Sequence, residues 1–259
     1  MKHSNPIVAG TCFALLVAGA VFVSVSVGTS AAHAAECGVT AGDIAQITAV
    51  QNDPTLTNAQ EINAELALRK QLVGKTITCA QQEVQTFRTS LASTTVGSDA
   101  QPLQSQLLSD LDSASNFYDL ELAKLNGVGI AGSEAVAQEV LAQRAGTFLP
   151  LSENVNNFIL WAQNQNLFDT AQTRMTQTQR AVSFLESATP NAGLQTALDN
   201  AQSSFNDAES QNAAAKAALA QGLSPSQSLS LIKQSLDSLS ATYQSFFNVS
   251  TMISTILPQ

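Results

Sequence analysis

The sequence predicts an all-α fold, an elongated antiparallel helical bundle closed by a coiled-coil-like hairpin. Three observations predict it. Apolar residues recur at helical spacing nearly end to end, and each Gly or Pro cluster falls between helical periods. No β-branched alternation appears outside an apolar N-terminal run. The pattern is clearest at the C-terminus, where two heptad ladders face each other across a short loop. One runs Leu194, Leu198, Ala201, Phe205, Ala208, Asn212, Ala215, Leu219; the other runs Leu229, Ile232, Leu236, Leu239, Tyr243, Phe246, Ser250, Ile253, Leu257. Steps alternating between three and four residues keep each ladder on one stripe of its helix and support left-handed helix pairing.

The chain opens with Lys2 and a nearly uncharged run from Ile7 to Val27, followed by Ala32-His33-Ala34. Small residues two apart fit a signal-peptidase site, so residues 1–34 read as a signal peptide, with an uncleaved anchor as the alternative. Residues 35–57 form an N-terminal tail with a short helix that Thr40 and Asp43 open. Residues 58–257 are the helical bundle, including the hairpin 190–257.

Within the bundle, Thr57-Asn58-Ala59-Gln60 reads as a capping box. It starts a helix to about Thr95 whose stripe is Ile62, Leu66, Val73, Ala80, Phe87 and Leu91. Ser98 or Asp99 opens the next helix, with Pro102 in its first turn and a stripe of Leu107, Leu111, Ala114, Tyr118, Leu122 and Leu125. Asn126-Gly127-Val128-Gly129 ends it. Ser133 caps a shorter helix bearing Val136, Val140, Leu141 and Phe148, which Pro150 is expected to break. Ser152 starts another, with Phe158, Trp161, Phe168, Met175, Val182 and Leu185, whose spacing slips around Gln165. Thr189-Pro190 and Ser224-Pro225 each set a capping hydroxyl before a proline at the first helical position.

Two further expectations concern the hairpin. Gly222 should end its first helix in a left-handed conformation. Folding about Leu223 then sets small residues opposite large ones along a seam of Leu198, Ala201, Phe205, Ala208, Asn212 and Ala215 against Ile232, Leu236, Leu239, Tyr243 and Phe246. Asn212 is the one strongly polar member: it either fixes register or reaches water at the seam's edge.

Export reshapes the chemical inventory. Both histidines, His3 and His33, fall in the removable segment, as does Cys12. The remaining Cys37 and Cys79 are expected to form a disulfide, closing a loop of about forty residues for roughly 3–4 kcal/mol on the chain-entropy view. A Ser-His-Asp or Cys-His arrangement and an imidazole-based metal site both need the histidine that such a chain lacks. Gly127-Val128-Gly129-Ile130-Ala131-Gly132 has neither the spacing nor the following Lys of a phosphate loop and reads as a helix connection. The acidic stretch Asp110–Glu121 mimics part of a calcium loop, but Ala114 and Ser115 occupy a ligand and a turn position, so it reads as a solvated helix face on which Asp112 and Asp119 flank the apolar seam.

The net charge of −9, without a basic block, argues against nucleic-acid binding. No residue motif points to a known family. The expected function is therefore an exported, non-catalytic structural or binding protein, periplasmic, cell-surface or secreted, with no cofactor and no metal. Its partner would be a protein or another cell-surface component. The alternative is a membrane-active, pore-forming-like protein that uses its apolar last helix. Contact with a membrane is otherwise confined to the N-terminal segment. Trp161 and the apolar Phe246-Phe247 and Met252-Ile253 are read as buried. Asn248-Val249-Ser250 has the form of a glycosylation sequon, with Ser250 on the seam.

Overall fold

A computed structural model describes residues 40–188 and 191–256. The chain divides into two units, residues 1–36 and Cys37–Gln259, and the described residues all belong to the second. The expected signal segment, Cys37, Thr189-Pro190 and Leu257 lie outside the described residues.

The described residues are mostly helical and include no strand, and the helices pack on one another as an all-α bundle. In order they are α1 (Ala41–Gln51), α2 (Asn58–Ala92), α3 (Gln101–Gly127), α4 (Ile130–Gln143), α5 (Leu149–Ala188), α6 (Ala192–Ala220) and α7 (Pro225–Ile256). Local chemistry explains most boundaries. Thr40 and Asp43 form a reciprocal capping box at α1, and Thr57 and Gln60 form another at α2. Each satisfies donors that the first helical turn leaves free. α6 begins on Asn191, whose Oδ1 accepts from the N–H groups of Gly193 and Leu194.

The Asn191 cap replaces the expected start at Thr189-Pro190, and two more expected starts are replaced. The cap of α3 is Ala100 rather than Ser98 or Asp99, and no side chain bonds there; the proline in its first turn needs no amide partner. α4 begins at Ile130 after Gly129, so Ser133 sits inside the first turn and donates to the Ile130 carbonyl. The helix can start that early because Gly132 has no side chain: a Cβ there would lie 2.5 Å from Val128 Cβ.

Pro150 does not break the chain's helix. α4 and α5 are joined by a π-helical turn, Arg144–Phe148, so that Ile130–Ala188 is one continuous helix, about 90 Å long at 1.5 Å per residue. A proline inside a helix removes one amide and presses its ring on the carbonyl four residues back. Here that carbonyl belongs to Gly146, inside the widened turn, and the Leu149 amide bonds Arg144 O one step further back than α-helical geometry requires. The bulge absorbs the clash, a common companion of a helical irregularity. Ser152 is accordingly not a cap and donates to Leu149 O.

Two successive apolar cores lie along this helix. The first gathers residues such as Ile77, Val84, Leu111, Tyr118, Phe148 and Phe158 from α2, α3, α4 and early α5, and reaches Ala215, Leu219 and Ile232. The second gathers Phe168, Met175, Leu194, Phe205, Leu239 and Val249 from α5, α6 and α7. The predicted α3 stripe is buried at Leu107, Leu111, Ala114, Tyr118 and Leu125, and the α5 stripe at every predicted position. The predicted α2 stripe is buried at Ala80 and Leu91 and half-buried at Leu66, Val73 and Phe87, but Ile62 is 54% exposed, and Ile77 and Val84, outside the stripe, are fully buried. Leu141 of α4 is 60% exposed. α2 touches α3 on one side and α4 and α5 on another, so its buried arc is wider than a single stripe.

Exposed polar pairs outside that core also link α2 to α3. Arg88 pairs with Asp112 at 2.7 Å and Gln81 Nε2 donates to Asp119 Oδ1 at 2.6 Å. Asp112 and Asp119 remain exposed, as expected of a solvated face flanking the seam, and these bonds tie that face to α2. Glu121, from the same stretch, is buried, with Lys124 at 2.5 Å on Oε1.

Candidate functional site

The hairpin follows from its turn. α6 ends at Ala220, Gly222 has φ +63°, the Gly222 amide bonds Leu219 O at 3.2 Å and the Leu223 amide bonds Ala218 O at 3.1 Å. This is the paired-bond termination that a left-handed glycine permits. α7 starts three residues later at Pro225, so α6 and α7 are adjacent and share the most extensive helix–helix contact of the described residues. Ser238 Oγ donates to Gln211 Oε1 at 2.9 Å across them.

On α6 the residues Leu198, Ala201, Phe205, Ala208 and Ala215 are buried and Asn212 is half-buried. On α7, Ile232 and Leu239 are buried, and Leu236, Tyr243 and Phe246 half-buried. The deepest line of α7 is one the apolar ladder does not contain: Ser228, Ser235, Thr242 and Val249, seven residues apart, are all 2% exposed or less. Each hydroxyl is satisfied inside its own helix, Ser228 on Pro225 O, Ser235 on Ile232 O and Thr242 on Ser238 O. That back-bonding lets a small polar residue enter a core without an orphaned donor. Ser250, expected on the seam, is exposed, and Val249 takes the buried place. α7 contacts α5 as well as α6, and the line between two neighbours has room only for small side chains.

Where the α5 spacing slips, a polar layer replaces apolar packing. Gln165 and Asn212 exchange amide hydrogen bonds at 3.0 and 3.3 Å, and Trp161 Nε1 donates to Asn212 O at 3.3 Å. Asn212 therefore faces α5 and neither waits at a wet edge nor sits against α7 alone. Lys216 Nζ lies 5.8 Å from the Trp161 ring centre and pairs with Asp99, whose carboxyl it holds below the usual range. Trp161 itself is buried against Phe158.

The π-helical turn carries a second polar cluster. Arg144 grips Glu83 of α2 through both terminal nitrogens, at 2.5 and 3.0 Å, and lies 5.6 Å from the Phe148 ring centre. Hydrogen bonds to Glu83 hold the guanidinium more firmly protonated still. Tyr118, fully buried beside them, has its phenol pushed upward by burial, with the Arg144 charge pulling the other way. Pairing of this kind fastens the bulge to α2. It pairs the two charges of the cluster with each other, while the buried Tyr118 hydroxyl beside them has no hydrogen-bond partner.

A groove of about 640 Å³ lies between the first turns of α6 and the last turns of α7. Ala192, Gly193 and Ala197 line its α6 side; Phe247 and Met252 line its α7 side, with Asn248 and Thr251. Phe247 is 63% exposed and Met252 is also exposed, a departure from the burial expected of them. Gly193 lies beside Met252, whose Cε would stand at ordinary contact distance, 4.0 Å, from a Cβ there. The groove was not legible in the sequence, where Phe247 and Met252 count as core and no reactive group marks the surface. The uncharged run beginning at Ser238 was its available signal.

Cys79 lies half-buried on α2; its expected partner is outside the described residues. Among the described residues no group of three or more His, Cys, Asp or Glu side chains gathers as a metal site would require. No helix of the described residues is long and apolar enough to cross a membrane. No protein-family model, curated protein or solved structure matches the chain.

Proposed function

We propose that this chain is an exported, non-catalytic binding protein, a helical scaffold that presents a surface for a ligand or partner outside the cytoplasm. The observation that carries the reading is the groove at the open end of the α6–α7 hairpin. It is concave, its sides belong to two long helices held at a defined register, and its neutral polar groups surround apolar ones, the usual make-up of a recognition site. Some of the charged groups elsewhere are spent in cross-links such as Arg144–Glu83 and Arg88–Asp112. Export is supported by the apolar run after Lys2 and by Ala32-His33-Ala34.

One experiment tests the non-catalytic part. Ester, peptide and phosphate substrates presented to the purified chain should give background hydrolysis. Turnover abolished by Asp112→Asn or another single carboxylate change would replace this reading with a hydrolase. A second experiment tests export together with the Cys37–Cys79 disulfide. Protein recovered from the exported fraction should show no thiol until reduced. Reduction should lower its thermal midpoint and leave helical circular dichroism largely intact; two titratable thiols in the native protein would remove the disulfide.

A membrane-active role is the second reading. It is favoured by the lack of any charged residue from Ser238 to Gln259 and by the exposure of Phe247. Leakage of dye from vesicles on addition of the chain would place it first.

A further inference from the structure

The groove's chemistry narrows what it holds, on the premise that the chain is a binding protein. None of its lining residues is ionisable, and no charge follows Asp237 on α7. A carboxylate, phosphate or ammonium seated there would lose hydration without meeting a counter-charge. Anions are further disfavoured by the net charge of −9. Amide groups are present instead, from Asn200 and Asn248, each able to donate and accept, and the Thr251 hydroxyl, which donates to Phe247 O, can still accept. Beside them stand Phe247 and Met252, large apolar side chains left in contact with water, methionine being the side chain that adapts most readily to an irregular chain.

Volume separates a small ligand from a helical partner. One turn of helix, about 10 Å across with a 5.4 Å pitch, fills roughly 400 Å³. At about 640 Å³ the groove holds little more than one such turn, whereas helix-in-groove recognition draws on anchors spread over two turns. A small-molecule site of this size is ordinary.

We propose that the groove binds one alkyl chain of an uncharged amphiphile, a lipid whose headgroup offers hydroxyls and carries no phosphate, carboxylate or amine. The apolar residues take the chain, and the neutral amide and hydroxyl rim takes the head.

The test uses the full-length chain, so that anything bound by residues 7–27 is common to every sample. Monooleoylglycerol, oleate and phosphatidylcholine vesicles are titrated against it by calorimetry, below the aggregation concentration for the two single-chain lipids. The same is done for Asn200→Trp, which sets a ring over the groove from an exposed position, and for Thr86→Trp, an exposed control on α2. Circular dichroism verifies that both variants fold. The expected result is one equivalent of monooleoylglycerol, bound at least tenfold more tightly than oleate, weakened at least tenfold by Asn200→Trp and unchanged by Thr86→Trp. Equal affinity for oleate overturns the headgroup assignment. Insensitivity to Asn200→Trp overturns the site, as does binding to vesicles alone. A dimer that Asn200→Trp dissociates makes a second copy the occupant and overturns the lipid. Failure of any of these arms leaves the non-catalytic reading standing, because that reading falls only on turnover, including release of oleate from the monoglyceride itself.

Discussion

Truncation of Leu239 to alanine is expected to lower the unfolding free energy by roughly 2–5 kcal/mol, and truncation of Leu236 by distinctly less. Both leucines belong to the apolar ladder of α7, and the ladder alone treats them alike. In the structure Leu239 is 3% exposed and belongs to the core shared by α5, α6 and α7, whereas Leu236 is half-buried. Removing a side chain from a closed site forfeits its transfer free energy and leaves a cavity that its neighbours only partly fill. At a half-open site water takes up part of the loss. Denaturant unfolding of the two variants at unchanged m-value measures the difference. An equal or larger loss for Leu236→Ala would mean that α7 is rotated away from the orientation that buries Ser228, Ser235 and Thr242.

The second large effect is expected at the π-helical turn. Arg144→Met should destabilise the protein by about 3 kcal/mol, the low end for breaking a buried ion pair, because both side chains keep some solvent contact. The loss arises chiefly from Glu83, whose carboxylate would remain largely enclosed without its partner. Its two hydrogen bonds to Arg144 would go together. Arg144 also covers the Phe148 ring, a contact that methionine retains in part. Glu83→Leu combined with Arg144→Met should recover most of the stability, since a neutral pair of similar volume carries no desolvation cost. A double-mutant cycle in thermal or urea unfolding reads the coupling directly. If Arg144→Met alone proves neutral, the pair is screened by solvent and does not fasten the bulge.

How far the chain is legible before folding depends on the range of the interaction. The capping boxes at Thr40 and Thr57 and the Gly222 turn are all written within a few residues, as is the start of α7 at Pro225. Helical periodicity is equally local, and it identifies the buried faces of α3 and α5 well. The same reasoning fails at Pro150. A proline signals a break by its own covalent geometry, but the helix continues because the preceding turn widens and Arg144, held by Glu83 of another helix, stabilises that turn. It also fails on α2, where Ile62 is placed inward and Ile77 left out, because the number of neighbours a helix has is not contained in its own period.

The candidate groove was less legible than the fold. Phe247 and Met252 were read as core because apolar side chains usually are, and only the arrangement of α6 beside the end of α7 leaves them open. Ser228, Ser235 and Thr242 lie outside the apolar ladder, and their burial is legible only in the structure, where their hydroxyls bond back to their own helix and so cost little to bury. By itself the sequence determined the all-α class and the tight α6–α7 turn, because backbone capping, glycine's freedom at φ +63° and the 3.6-residue period act over neighbouring residues. Only the tertiary structure decided the continuity of Ile130–Ala188, the pairing of Gln165 with Asn212, and which apolar residues face water, because each depends on the side chain that a distant helix places opposite.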